Sequence, residues 1–293
     1  MQDDKTLGLR YFVSALAISF LGLILFLSFV LLKNPPIILN NTQNELVTKN
    51  IYLPSSEEKL SIFLTISKEK NSSPYLCALI YFDPIGGKIP VVTFSPKCKL
   101  IVEGKNETLN SIFNKSGISV VKNGFENYAN IKIDRYISTT SEVITNIIDL
   151  SRKIDIDFPD KIKVSENFSI NKGLQTLDGT TAAKVLETIC ENVQSPSFNP
   201  LPSTILSQLL NNLLPLVGSP KGERIFNQIV NNSATDISYK DYEMRIRACK
   251  FMNTLASKAS YPLILQGKLN DAQNTFTFTA NSLSQLKLIF EDN

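Results

Sequence analysis

Histidine and tryptophan are absent from the 293 residues, and only six of the 30 basic residues are arginine. Without histidine there is no Ser-His-Asp triad, no Cys-His nucleophile pair and no imidazole metal ligand. The arginines stand apart, at positions 10, 135, 152, 224, 245 and 247, so a clustered guanidinium grip on phosphate is hard to assemble. Net charge is small too: 27 acidic residues against the 30 basic ones leave +3, which offers no electrostatic footprint for nucleic acid. The four cysteines match no metal-binding spacing. Any chemistry is left to carboxylates, lysines, hydroxyls and thiols.

Apolar residues, by contrast, make up 43% of the chain, enough for a substantial core. The 22 residues Tyr11–Leu32 carry no charge, and at about 1.5 Å per residue such a helix covers the roughly 30 Å of a bilayer interior. A signal peptide would have a shorter apolar stretch and a small-residue cleavage site, whereas Lys33-Asn34-Pro35-Pro36 follows this one. A buried core helix is the plain alternative, but a helix apolar on every face at the very N-terminus favours the membrane span. Lys5 and Arg10 before the run outweigh Lys33 after it, and Asp3 and Asp4 count for little, so the N-terminus is expected in the cytoplasm. The expected organisation is a cytoplasmic N-terminus at 1–10, a transmembrane helix at 11–32, a stalk at 33–59 and an extracellular domain at 60–293. This makes a single-pass protein of the cell membrane.

The exterior part alternates strands and helices. Leu60, Ile62, Leu64 and Ile66 repeat with period two, a strand over 60–67. Leu76–Phe82 is a continuous apolar run, Asp83–Lys88 is turn chemistry, and Ile89–Phe94 is its antiparallel partner. Helical stretches over 108–128 break at Gly117, and Ile131–Ile137 alternates as a strand. Thr139 or Thr140 caps a helix to Leu150, with Glu142 placed for a capping box. Ile154–Pro159 is a strand, Thr180–Val193 a helix, and 195–203, with three prolines, a loop. Helices follow at Ile205–Leu214, Glu223–Asn231 and from Asp236 to about Lys258, and Leu263–Phe278 reads as an exposed β tail. Together these predict an α/β fold, a mixed central sheet with helices on both faces.

The order of these segments is similar to that of the LytR-CpsA-Psr family. ALIYFDPIGGKIPVVTFSPK (78–97) resembles its strand–turn–strand, NYANIKIDRYISTTSEVITNIIDLSRKIDIDFP (127–159) its strand–helix–strand, and GLQTLDGTTAAKVL (173–186) its Leu-Asp-Gly helix start. The resemblance spans about residues 60–258 and implies a single-pass envelope protein. It also implies a phosphotransferase moving glycopolymer from polyprenyl pyrophosphate to peptidoglycan with Mg²⁺, held by carboxylates and arginines.

The family's positions are largely changed here. Its Asp after the first strand is Ser67, and its Asp before the second falls near Tyr75. The Arg and Asp after the hairpin proline are Lys97 and Cys98, its Asn is kept as Asn110, and helix arginines give way to Glu187 and Thr188. Lys97 and Asn110 are therefore the phosphate-binding candidates, with no catalytic residue and no metal ligand assigned. No cofactor is expected, unless Mg²⁺ in an active enzyme.

Other features have plain readings beside functional ones. Asp155 and Asp157 share a strand face, as a carboxylate pair or a solvated face. Lys97 and Lys99 are a solvent-facing pair or a phosphate clamp. The Leu-rich 205–216 segment is core or the lining of a lipid-tail pocket. Cys77 with Cys98, and Cys190 with Cys249, are plausible disulfide partners if the register allows, or thiols in a reducing setting. Six N-x-Ser/Thr sequons, at Asn40, Asn71, Asn106, Asn114, Asn167 and Asn231, say little in a Lys-, Asn- and Ile-heavy chain of bacterial character. Three functions stay open: a degenerate family member that binds or regulates, an active transferase with an altered site, and an envelope scaffold without a lipid ligand. The expected partners are the membrane and a polyprenyl-phosphate-linked glycopolymer or peptidoglycan, with no nucleic acid.

Overall fold

The computed structural model describes residues 52–102, 104–192, 199–256, 258–270, 272 and 274–291. The expected cytoplasmic segment and transmembrane helix, most of the stalk and the start of the Pro-rich loop lie outside the described residues. Among the described residues no helix is long and apolar enough to cross a membrane.

In chain order come β1 (Leu60–Ser67), β2 (Pro74–Phe82), β3 (Ile89–Phe94), β4 (Lys99–Val102) and β5 (Lys105–Thr108). Helix α1 (Leu109–Ala129) precedes β6 (Arg135–Thr140), α2 (Ser141–Ser151) and β7 (Ile154–Phe158). Then follow β8 (Ile162–Ser165), β9 (Phe168–Ile170), β10 (Gly173–Leu177), α3 (Gly179–Asn192) and α4 (Leu201–Leu213). The last part holds α5 (Pro220–Asn232), β11 (Ala234–Thr235), α6 (Tyr239–Leu255), β12 (Ser260–Pro262), β13 (Gly267–Asn270), β14 (Thr275–Phe278) and α7 (Ala280–Glu291).

Six strands make the central sheet in the order β11-β6-β1-β2-β3-β12, and it is mixed as expected. β1 runs parallel to β6 and antiparallel to β2, and β2 pairs antiparallel with β3 through Ala78↔Thr93 and Leu79↔Val92. The continuous apolar run of β2 follows from cover on both faces. Leu76, Ala78, Ile80 and Phe82 pack into one core with α2, α3 and α4. Cys77, Leu79 and Tyr81 face a second core made with α1, α7 and β14. Each large side chain buried this way contributes roughly 1.5–3 kcal/mol.

Local signals place the helices. Gly117 interrupts α1 at φ 77°, a left-handed value that glycine adopts without Cβ strain. Thr140 caps α2, its Oγ1 accepting from the Val143 N–H at 3.4 Å. That choice of cap puts Glu142 second in the helix and Val143 third, so the expected capping box does not form.

Other expectations are corrected. The strand expected from Ile131 starts only at Arg135, because side chains of α1 hold the preceding backbone. Glu126 accepts from the Ile133 N–H at 2.7 Å and Lys122 donates to the Ile133 carbonyl at 2.8 Å. The C-terminal tail is neither exposed nor all strand. The β13–β14 hairpin and α7 close the second core, with Phe276, Phe278, Leu286 and Phe290 buried. Asp155 and Asp157 are a solvated face: both are exposed, and Asp155 accepts from Thr176 across the β7–β10 pair.

All four cysteines are buried free thiols. Phe94 is the neighbour of Cys77 on β3, while Cys98 lies beyond the strand and bridges to Phe276. Burial pushes every one of these thiols up, Cys249 to about 12, so they stay protonated.

Candidate functional site

β1 and β6 are parallel neighbours, and the space outside the carboxyl ends of such strands is where open α/β sheets bind ligands. A cleft opens there. Its larger part, about 920 Å³, is lined by Ser67 from β1, Ser138, Thr139 and Thr140 from β6, and the 69–73 loop. Phe113, Asn114 and Gly117 of α1 and the Asn231–Ala234 stretch complete the wall. A second part of about 630 Å³ adjoins it through Glu69, Ser72 and Ser73 and reaches Lys68, Tyr75, Ser95, Lys97, Asn110, Cys190 and Glu191.

Both phosphate-binding candidates therefore border one cavity. Pro96 follows β3, lacks an N–H and turns the chain, leaving the Lys97 side chain in solvent. Its backbone is fixed on both sides: the N–H donates to Ser95 Oγ at 3.2 Å and the carbonyl accepts from the Phe276 N–H at 2.9 Å. Asn110 sits in the first turn of α1, which Thr108 caps by accepting from the Ser111 N–H. Its own N–H donates to the Pro96 carbonyl at 2.9 Å, tying the helix start to the Lys97 turn. The Asn110 Oδ1 is buried with no hydrogen-bond partner.

Of the other positions that the resemblance singled out, Ser67 and Tyr75 border the cleft and Cys98 and Thr188 do not. Ser67 is buried, and its carbonyl meets the Ser141 hydroxyl at 3.5 Å. Tyr75 is also buried, its hydroxyl 3.1 Å from Ser141 Oγ, and burial pushes the phenol well above its usual range. Cys98 is in the second core, and Thr188 donates to the Val164 carbonyl on β8.

Glu187 has a partner that the sequence reading missed. Lys68, at the end of β1, reaches Glu187 at 2.7 Å and Glu191 at 3.0 Å. Hydrogen bonds to these carboxylates raise its pKa, so the ammonium is fixed in its charged form. Glu187 and Glu191, one turn apart on α3, were a visible acidic pair; the partner lysine follows only from β1 lying beside α3.

These side chains do not make a divalent-cation site. Glu187 and Glu191 are already held by an ammonium, which a hard cation would have to expel, and that leaves Glu69 as the other carboxylate lining the cleft. Among the described residues no group of three or more His, Cys, Asp or Glu could hold a metal ion. The arrangement offers hydroxyl and amide hydrogen bonds, two solvent-facing ammonium groups at Lys70 and Lys97, and beside them an ion cluster of one lysine and two glutamates.

At the opposite end of the sheet, about 24 Å along β2 at roughly 3.4 Å per residue, lies a smaller cavity of about 210 Å³ with almost wholly apolar walls. Leu210, Leu213, Leu214 and Leu216 from the Leu-rich segment line it, with Phe82, Ile225 and Phe226. Ile205, Leu206 and Leu209 of the same segment are core.

The class of domain is set by this sheet, covered on both faces with its cleft outside the β1 and β6 ends. Residues 89–188 match the LytR_cpsA_psr family. A putative transcription regulator of Eubacterium siraeum shares the fold at TM-score 0.72 and 19% identity, over 86% of this chain and 99% of that one. TagV of B. subtilis does so at TM-score 0.65 and 16% identity, over 81% and 98%. A structure described as TagT bound to LI-WTA matches at TM-score 0.61 and 12% identity, over 83% and 93%. No curated protein matches the chain in sequence. The resemblance to the LytR-CpsA-Psr family thus holds in the matched segment, and the fold is shared with these solved structures.

Proposed function

We propose that the protein is a single-pass, membrane-anchored member of the cell envelope. Its extracellular LytR-CpsA-Psr-like domain binds a polyprenyl-phosphate-linked glycopolymer without transferring it. The observation that carries this reading is the ion cluster of Lys68 with Glu187 and Glu191 beside the cleft. Transfer from a pyrophosphate needs cations set against the developing charge, and here the Lys68 ammonium is spent on carboxylates, leaving the separate lysine point charges of Lys70 and Lys97. Binding asks for less. Lys97 supplies a point charge, Asn110 borders the same cavity, and the hydroxyl- and amide-rich walls suit the many hydrogen bonds of a glycan. The apolar cavity offers a lipid tail a lining of leucines. That a protein of this fold is described as bound to LI-WTA supports a wall glycopolymer as the ligand.

The test is purification of the full chain in mild detergent, followed by mass spectrometry of retained lipids. Enrichment of polyprenyl-phosphate species, reduced several-fold by Lys97→Ala, is expected. Retention of bulk phospholipid alone, unchanged by that substitution, would leave an envelope scaffold without a lipid ligand.

A further inference from the structure

The end of the sheet away from the cleft has a surface that the binding reading does not use. Helix α6 lies across it, beneath the starts of β1 and β6. Arg245 donates to the Glu58 and Lys59 carbonyls at 2.9 Å each, and Asp241 pairs with Arg135 at 3.0 Å. The chain comes in over the outer face of this helix. The ring of Tyr52 lies 4.7 Å beneath the Arg247 guanidinium and 5.9 Å from Phe251, and its hydroxyl donates to Glu58.

Around that point large apolar side chains stand in solvent: Leu53 is 73% exposed, Leu255 59% and Ile85 54%. Leu255 and Ile85 are neighbours, since a Cβ at Gly87 would lie 3.8 Å from Leu255 and Ile85 is in the same turn, and Leu53 follows Tyr52, whose ring lies against Phe251 one turn before Leu255. Met244, one helical turn before Arg247, adds to the stripe. On the same elements Lys88, Lys240, Arg247, Lys250 and Lys258 are exposed, against Glu57, Glu243 and the half-buried Asp83 of the turn.

We propose that this surface, the outer face of α6 with the β2–β3 turn and Leu53, rests on an anionic lipid bilayer. The proposal rests on the membrane-anchored reading. Two observations choose the occupant. The surface is basic with apolar side chains standing among the cations, the pattern that settles at a charged headgroup boundary. It also surrounds Tyr52, where the 51 residues that hold the uncharged run Tyr11–Leu32 join the domain. A bilayer here leaves the cleft facing away from it, since β1 runs from this surface to Ser67.

The full chain is reconstituted in vesicles of phosphatidylcholine alone or mixed with phosphatidylglycerol, with an environment-sensitive fluorophore on Leu255→Cys. A second preparation carries it on Lys70→Cys at the cleft end. Brominated lipids should quench the label at 255 and spare the one at 70, more strongly with phosphatidylglycerol and less as salt rises. Lys88→Glu with Lys258→Glu should lower the docked-to-undocked ratio roughly tenfold or more. Vesicle flotation with equal quenching at the two positions, or none at 255, overturns the proposal and leaves the anchor reading standing. Failure to float with phosphatidylglycerol vesicles overturns both.

Discussion

Each end of the central sheet carries an ion cluster, and the two are built differently. At the base, Asp241 holds Arg135 through two bonds of 3.0 Å and Arg245 at 3.8 Å, with the Asp241 and Arg245 side chains 10% and 11% exposed. The same carboxylate accepts from the backbone and hydroxyl of Ser238, capping α6. At the cleft, Lys68 is 47% exposed and bridges two glutamates on a single helix. Buried charges cannot be left alone, so the base cluster is a clamp whose parts need one another. The cleft cluster is in water, contributes little to folding and is better understood by what it keeps out.

The largest expected effect is at the clamp. Asp241→Ala unpairs the Arg135 guanidinium and removes a cap, while Arg245 keeps its backbone carbonyl partners, and should cost about 3 kcal/mol. Denaturant midpoints of the full chain would show this, and a loss no larger than a surface substitution would break the contrast. Acid titration reads the same group. Burial would raise the Asp241 pKa, but the bonds from Arg135 and Ser238 outweigh it and hold the carboxyl at about 2. A depressed carboxylate stabilises above its unfolded value of about 3.9. That stability, about 2 kcal/mol, should disappear as pH falls from roughly 4–5 through 2, and Asp241→Asn should flatten the slope in that window.

Smaller effects belong to the cleft. Thr140→Ala removes the oxygen that accepts from Val143 and should cost about 1 kcal/mol in the same unfolding measurement. Lys68→Ala should change stability by less than about 1 kcal/mol. A cost as large as that at Asp241 would make the cleft cluster a clamp as well.

Elements with their cause inside a short window were legible from the chain. Period-two alternation marks β1, double-sided burial marks β2 and β3, and Gly117 and Thr140 mark a break and a cap. The cover of the second core was not legible, because Phe276 and Phe278 alternate like any hairpin and nothing local says which face is covered. Leu286 and Phe290 lie one turn apart in a short helix, too brief a period to stand out. At the cleft, Lys97 and Asn110 could be picked out because the resemblance supplied their positions. Lys68 could not: its partners are far along the chain on α3, and only the packing of α3 beside the end of β1 brings them together. The unpaired Asn110 oxygen is likewise a product of packing.

The central claim, binding without transfer, is tested most directly by a Mg²⁺-dependent transfer assay on a polyprenyl-pyrophosphate-linked glycopolymer with the full chain. Loss of one charge-stabilising donor commonly costs about 10²–10³ in rate. The resemblance puts the changed family positions at Ser67, Tyr75, Lys97, Cys98 and Glu187, and losses within one site would not multiply. The account predicts turnover near background, little altered by Lys97→Ala. Turnover comparable to an ordinary transferase of this family, abolished by Lys97→Ala, would contradict it and make the cleft a rebuilt active site.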